Sequence, residues 1–195
     1  MMTIGILVFD DVEELDFVGP LEVFGQAQQL GAPCRVLLVA SDARELRCRY
    51  GLRLRPEANL AACPQLDLLV VPGGPGARTH ARANPAILTF IRQHPGAVAS
   101  VCTGALILAA AGVLTGHRAT THWSALDLLR ATAGVQVEED VRMVFDGRIA
   151  TSAGVSAGID LALALVGRWW GRELAREVAH RMAWEGAGHW QETPR

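Results

Sequence analysis

Ala97-Val98-Ala99-Ser100-Val101-Cys102-Thr103-Gly104-Ala105-Leu106-Ile107 is the stretch on which the reading of the fold turns. Ala97 to Val101 is a short apolar run of strand length, and Thr103 to Ala111 is an Ala- and Leu-rich helical stretch that stops at Gly112. Cys102 sits at the junction. A strand that passes straight into a helix through a nucleophile-type residue, with Ser100 and Gly104 as small neighbours two positions either side, resembles a nucleophile elbow with Cys in place of Ser. The small neighbours let strand and helix approach closely. The helix N-terminus then points at the sulfur, and its free amides favour thiolate over the usual thiol pKa of about 8.5. The alternative at this level is an inert buried cysteine, because free Cys is among the most buried residue types.

On either side of this stretch, strand-length apolar runs alternate with helical ones. That pattern indicates a parallel sheet with helices on both faces. Strands are expected at Thr3 to Phe9, Cys34 to Ser41, Asp67 to Val71 and Ala97 to Val101. Shorter ones are expected at Gly51 to Arg55 as an edge, and at Ala119 to Thr121, Val135 to Val137, Val141 to Phe145 and Ile149 to Thr151. Asp146-Gly147 supplies a hairpin turn. Helices are expected at about Phe17 to Leu30, with Pro20 tolerated near the first turn, and at Pro85 to His94, Ser124 to Ala133, Ala157 to Trp169 and Arg172 to Trp184. No repeat, linker or low-complexity tract interrupts them. The expectation is one α/β domain over residues 1–195, doubly wound and flavodoxin-like, with a mainly parallel sheet.

Composition narrows the class. Of 195 residues, 50% are hydrophobic and 19% charged, with a formal net charge of −2, as in a globular protein. That balance gives no electrostatic reason to expect a nucleic-acid partner. The N-terminal apolar run is short, has no basic flank and meets Asp10 and Asp11, so no signal peptide is expected. The longest apolar stretch, Ala97 to Leu114, is broken by Ser100, Thr103, Gly104 and Gly112, short of the roughly 18 uninterrupted residues of a membrane span. A cytoplasmic location and no membrane partner follow as expectations. Cys34, Cys48, Cys63 and Cys102 include no C-x-x-C pair. His117 and His122 are spaced as in some zinc sites but have no cysteine pair with them, so neither structural zinc nor disulfides are expected.

Several other residues carry candidate chemistry. Asp16 follows the first strand by a short loop and can reach the carboxyl edge of the sheet, where ligands bind in this architecture. It reads either as a proton-exchanging carboxyl or as an N-cap. Glu13 and Glu14 read as solvated acids. Gly73 and Gly74 end a buried strand. They form either an ordinary Gly-Pro turn or an oxyanion site, with the Gly74 and Thr103 amides aimed at developing charge. His122, twenty positions after Cys102, could return to the same sheet edge and bond the thiol, with Trp123 as an apolar wall. A histidine with no chemical role at a helix start is the other reading. Asp160, in a helix first turn, reads as a dipole-favoured or paired acid. Ser152 and Gly154 are pocket candidates. His80, His94, His180 and His189 show no partner at informative spacing.

Five blocks in order then match a known family. Val101-Cys102-Thr103-Gly104, Val71-Pro72-Gly73-Gly74 and Thr121-His122-Trp123 resemble the ThiJ/PfpI superfamily, the class I glutamine-amidotransferase-like fold. The stretch from Phe9-Asp10-Asp11-Val12-Glu13-Glu14-Leu15-Asp16 to Val23, and Thr151-Ser152-Ala153-Gly154 to Asp160, match it as well. The combination looks like the isonitrile hydratase branch, and equally like the N-terminal domain of AraC-type regulators. The resemblance implies a homodimer and a small-molecule substrate. It implies hydration of an isonitrile to an N-substituted formamide, with no metal or organic cofactor and with Cys102, Asp16 and Thr103 as the reactive set. Protease-like members place His directly after the nucleophile; Thr103 stands there instead, which argues against peptidase activity.

Two other functions stay open on the sequence. One is a glyoxalase- or deglycase-like stress protein acting on reactive carbonyls. The other is a non-enzymatic ligand- or redox-sensing domain. The chain stops at Arg195 and shows no basic recognition helix, so a full DNA-binding regulator is not expected.

Overall fold

A computed structural model describes residues 1–185. Its strands and helices run in order β1 (Met2–Leu7), α1 (Glu14–Gln29), β2 (Cys34–Ala40), β3 (Leu46–Arg47), β4 (Arg53–Leu54), β5 (Ala58–Asn59), β6 (Leu68–Val71), α2 (Pro75–Arg78), α3 (Pro85–Gln93), β7 (Ala97–Val101) and α4 (Gly104–Ala110). Then follow β8 (Arg118–Ala119), α5 (Leu126–Arg130), β9 (Gln136–Val137), β10 (Met143–Asp146), β11 (Ile149–Ser152), α6 (Ala157–Trp170) and α7 (Arg172–Arg181).

The central sheet has the order β10-β11-β7-β6-β1-β2-β5. All its pairs are parallel except β10 with β11, which the Asp146-Gly147 turn joins as a hairpin. Helices α1, α6 and α7 pack together, as do α2, α3, α4 and α5. Two-sided cover explains why β1 and β6 are nearly unbroken apolar runs rather than alternating ones. The order β2-β1-β6-β7-β11 is the flavodoxin order, and its direction reverses between β1 and β6. The loops after β1, β6 and β7 therefore open at one sheet edge, beside the switch point.

The elbow is tight. A Cβ built on Gly104 would lie 2.0 Å from the Val71 carbonyl oxygen, so no larger residue fits where α4 leaves β7 against β6. Cys102 has φ 56°, a left-handed conformation that non-glycine residues rarely adopt and that tends to mark functional turns. Its amide donates to the Ser152 carbonyl at 3.0 Å, and Thr121 Oγ1 donates to its carbonyl at 2.8 Å.

Several expectations need correction. The segment expected as an edge strand at 51–55 contributes only β4, which pairs with β3 in a separate hairpin; β5 is the sheet edge. Acids of the first loop capture that hairpin. Asp10 bonds the Arg47 amide and the Arg44 guanidinium, and Glu14 accepts from the Tyr50 amide. The helix expected over 124–133 shrinks to α5 after a 3-10 turn at Trp123–Ala125, because Thr132 and Gly134 are weak helix formers. The short strand expected at 119–121 pairs with β9 outside the main sheet. Helix α7 ends at Arg181, three residues before the expected Trp184. Asp160 is paired, as read: Arg142 and the Trp184 indole both reach its buried carboxylate. His189 lies outside the described residues.

Two glycine substitutions test the packing. Gly104→Ala is expected to lower unfolding stability by at least about 1–3 kcal/mol, as for other overpacked sites. Gly25, in α1, has no neighbour within 4 Å of a built Cβ. Gly25→Ala is therefore expected to raise stability by up to about 1 kcal/mol through helix propensity. Urea unfolding of both variants checks the pair; equal effects would contradict the packing described.

Candidate active site

Three loops meet around Cys102. The first carries Asp16 in the first turn of α1, inside the helix rather than at its cap; Glu13 is the N-cap residue. The second is the Gly73-Gly74 turn after β6. The third is the elbow itself. Asp16 is fully buried and Cys102 is 7% exposed. Asp16 Oδ2 accepts from the Gly73 amide at 2.9 Å, while its Oδ1 is buried with no hydrogen-bond partner. A Cβ on Gly73 would fall 2.5 Å from the Thr103 nitrogen and 2.9 Å from Asp16 Oδ2, so glycine is what lets the three loops close. On the far side, a Cβ on Gly154 would meet the Cys102 Cβ at 2.3 Å, and Gly154 has φ 72°. The β11–α6 loop thus walls the cysteine directly.

Burial dominates the electrostatics. It raises Asp16 from the ordinary 3.8 to about 7. The Gly73 amide pulls the other way, the Glu13 charge adds to the rise, and the Cys102 thiol and Arg49 oppose it. Burial also pushes the Cys102 thiol up to about 12, with the Asp16 charge adding to it. The Thr103 backbone amide counteracts this without overcoming it. The expectation of a thiolate favoured by the following helix is therefore corrected. Helix α4 has only seven residues, and desolvation outweighs its dipole. In the resting site a protonated thiol faces a carboxyl poised to hold or release a proton near neutrality.

The oxyanion expectation also changes. The Gly74 amide donates to Thr103 Oγ1 at 3.0 Å, and that hydroxyl donates back to the Gly74 carbonyl at 3.3 Å. The Thr103 hydroxyl therefore locks the glycine turn to the elbow. Of the two expected donors, the Thr103 amide remains near the sulfur.

His122 does not bond the thiol. Its Nδ1 accepts from the Ser124 amide at 3.3 Å and lies 2.9 Å from Ser124 Oγ. Burial and the Arg78 charge lower its pKa, which disfavours the charged ring. Trp123 is 77% exposed and tilts over the His122 ring at 5.2 Å between centroids, so it stands at the rim rather than forming an inner wall. Ser152 is turned into the sheet, its hydroxyl on the Ser100 carbonyl at 3.3 Å.

Sequence reasoning missed one charged pair. Glu13 is buried, with its carboxylate 2.5 Å from the Arg49 guanidinium and its amide on the Gly73 carbonyl at 3.0 Å. It is not the solvated acid expected, and Glu14 is likewise tied to Tyr50. Glu13 lay within a motif block, which was the available signal. Arg49 arrives on the β3–β4 hairpin, and nothing in its local sequence marks it. Among the described residues no group of three His, Cys, Asp or Glu side chains could hold a metal ion.

The DJ-1/PfpI family profile matches residues 2–168. The chain belongs to the DJ-1/PfpI family. Among DJ-1/PfpI relatives, isonitrile hydratase of Pseudomonas putida is 40% identical over 167 residues, covering 84% of this chain and 70% of that protein. The HTH-type transcriptional regulator GbdR of Pseudomonas aeruginosa is 29% identical over 85% of this chain, which spans 46% of the regulator. The crystal structure of a ThiJ/PfpI family protein from Pseudomonas syringae superposes with a TM-score of 0.87 at 30% identity, over 95% of this chain and 76% of that one. Drosophila melanogaster DJ-1beta, at 23% identity and a TM-score of 0.84, shares the fold.

The raised Asp16 pKa has a stability consequence. Below about pH 4 the carboxyl is neutral both folded and unfolded. Between about 4 and 7 the folded state keeps a proton that the unfolded state has lost, so stability falls as pH rises. Above 7 the penalty is complete, on the order of 4 kcal/mol for a shift of this size. Asp16→Asn keeps an acceptor for the Gly73 amide and does not titrate. Its stability relative to wild type is expected to climb between pH 4 and 7 and then level off, as read by denaturant unfolding. A gap independent of pH would contradict the assignment.

Proposed function

We propose that this protein hydrates an isonitrile to an N-substituted formamide, with Cys102 as nucleophile and Asp16 as proton carrier. The observation that carries the reading is the buried Cys102–Asp16 pair, whose carboxyl titrates near neutrality. The 40% identity to an isonitrile hydratase supports the same chemistry.

The steps follow from the proton inventory. Asp16 as carboxylate takes the thiol proton while the sulfur bonds to the terminal isonitrile carbon. Asp16 then returns that proton to the same carbon, giving an enzyme-bound thioimidate. A thiol pKa of about 12 makes this transfer concerted with attack rather than a prior ionisation. Asp16 next takes a proton from water as the water oxygen adds to the thioimidate carbon, and passes that proton to the nitrogen. The C–S bond then breaks as the new hydroxyl loses its proton, which reaches the sulfur through Asp16, and the formamide leaves. Net, one water is added and no electron is transferred. The Thr103 amide stands beside the sulfur, while the Thr103 hydroxyl holds the elbow against Gly74. Gly73 orients the carboxyl through its amide, Gly154 shapes the wall, and His122 and Trp123 line the entrance. The reading includes a homodimer in the cytoplasm and no metal or organic cofactor. Among the described residues no helix is long and apolar enough to cross a membrane.

Identity to transcriptional regulators over most of this chain favours one second reading, a ligand-sensing domain without turnover. A cyclohexyl isocyanide assay that follows formamide release separates the two. Wild type is expected to turn over. Cys102→Ala is expected to be inactive, and Asp16→Asn reduced by about 10²–10⁴-fold, the usual range for a general acid–base group. Binding without turnover across several isocyanides would favour sensing. Methylglyoxal consumption without isocyanide turnover would favour carbonyl chemistry.

A further inference from the structure

The inner site is electrically quiet, but its mouth is not. Arg49 is 46% exposed, with its guanidinium on Glu13 and 4.9 Å from the Tyr50 ring centre. Its backbone amide bonds the Val12 carbonyl at 3.0 Å, which fixes the hairpin over the loop leading to Asp16. Arg78 is at the end of the short helix that follows Gly74. It donates to Ser124 Oγ at 2.7 Å, and Ser124 in turn holds His122. Thr121, at the start of that stretch, is bonded to the Cys102 carbonyl. Both arginines are thus anchored to segments that touch the Cys102 turn. The charges of Arg49 and Arg78 both act on His122, and the Arg49 charge is felt at Cys102 and Asp16.

Glu13 is neutralised by Arg49, and the charge of Glu14, which accepts from the Tyr50 amide, is felt at the buried Cys48 of the hairpin. Arg78 has no carboxylate partner among the described residues. Of the charges that act on His122 at the rim, Arg78 and Arg49 are positive and Glu13 is negative, which leaves Arg78 uncompensated there. Its exposed aromatic rings are Tyr50 beside Arg49, 71% exposed, and Trp123 beside His122, 77% exposed. A cationic rim above a desolvated reacting group concentrates reactants of opposite charge.

We propose that the mouth above Cys102 selects reactants that carry a carboxylate, with Arg78 supplying the uncompensated charge, Arg49 offsetting Glu13, and Tyr50 and Trp123 flanking an apolar body. As a substrate class this rests on the isonitrile reading. The preferred substrate is then an isocyanide whose body bears a carboxylate, held at the rim while the terminal carbon reaches the sulfur.

Alkylation of Cys102 tests the rim independently of any turnover. Iodoacetate and iodoacetamide are nearly the same size and react identically: the sulfur bonds to the CH2 carbon, iodide leaves with the electron pair, and the thiol proton is released. Only iodoacetate is an anion. Rates at Cys102 are read by peptide mass, which separates it from Cys34, Cys48 and Cys63. The iodoacetate-to-iodoacetamide rate ratio is expected to exceed that of N-acetylcysteine by about tenfold at low salt. It is expected to fall severalfold at high salt. Arg78→Gln and Arg49→Gln should each lower the ratio severalfold, and Arg78→Lys should keep most of it. A wild-type ratio equal to that of the free thiol, or one unchanged in both glutamine variants, would overturn the proposal. A second assay compares kcat/KM for 4-isocyanobenzoate and cyclohexyl isocyanide. A retained alkylation preference with no isocyanide turnover would remove the isonitrile reading and leave the rim. Turnover with a flat alkylation ratio would remove the rim and leave the reaction.

Discussion

One hydrogen bond, from the Gly73 amide to Asp16 Oδ2, joins the loops after β1 and β6 beneath the cysteine. It is the polar contact that makes the burial of Asp16 tolerable. A carboxyl with no solvent contact and one unpartnered oxygen has two ways to reduce its cost, an amide donor or a proton. The site uses both. Gly73 supplies the donor, and burial lifts the carboxyl to about 7, where the proton is half retained. Remove the amide, or widen the turn with a side chain, and the carboxyl loses its hold while Thr103 loses its place against Gly74.

Two layers with different electrostatics result. The inner layer holds Asp16, Cys102, the Thr103 amide and the backbone of Gly154, and low polarity there keeps the thiol protonated. In the outer layer Glu13 and Arg49 cancel while Arg78 is left positive. Glu13 spans the layers. Its amide bonds the Gly73 carbonyl, its carboxylate holds Arg49, and its charge helps raise Asp16. On the proposed reading, chemistry belongs to the inner layer and selection to the outer.

The fold was legible because its signals are local. Apolar runs of strand length at β1, β2, β6 and β7, with a helix after β1, β6 and β7, leave few topologies other than the doubly wound sheet. The elbow was legible because Ser100, Cys102 and Gly104 stand at fixed offsets. What failed to show depends on tertiary contact. Residues 51–55 have strand-like composition, but the acids Asp10, Glu13 and Glu14 pull their hairpin onto the first loop instead of the sheet edge. The Gly74 amide reads as a free donor until the Thr103 hydroxyl is seen to occupy it. The protonation state of Cys102 was misread for the same reason. A helix dipole is visible in a sequence, whereas the desolvation that outweighs it is a property of the assembled core.

Asp16 holds its proton to near neutrality beside a protonated thiol. Carbon-detected NMR of selectively labelled Asp16, followed from pH 4 to 9, measures it directly. A carboxyl titration with a midpoint near 7 is expected. A midpoint in the ordinary aspartate range near 4 would contradict it, because the carboxylate would then be fully charged wherever the protein works.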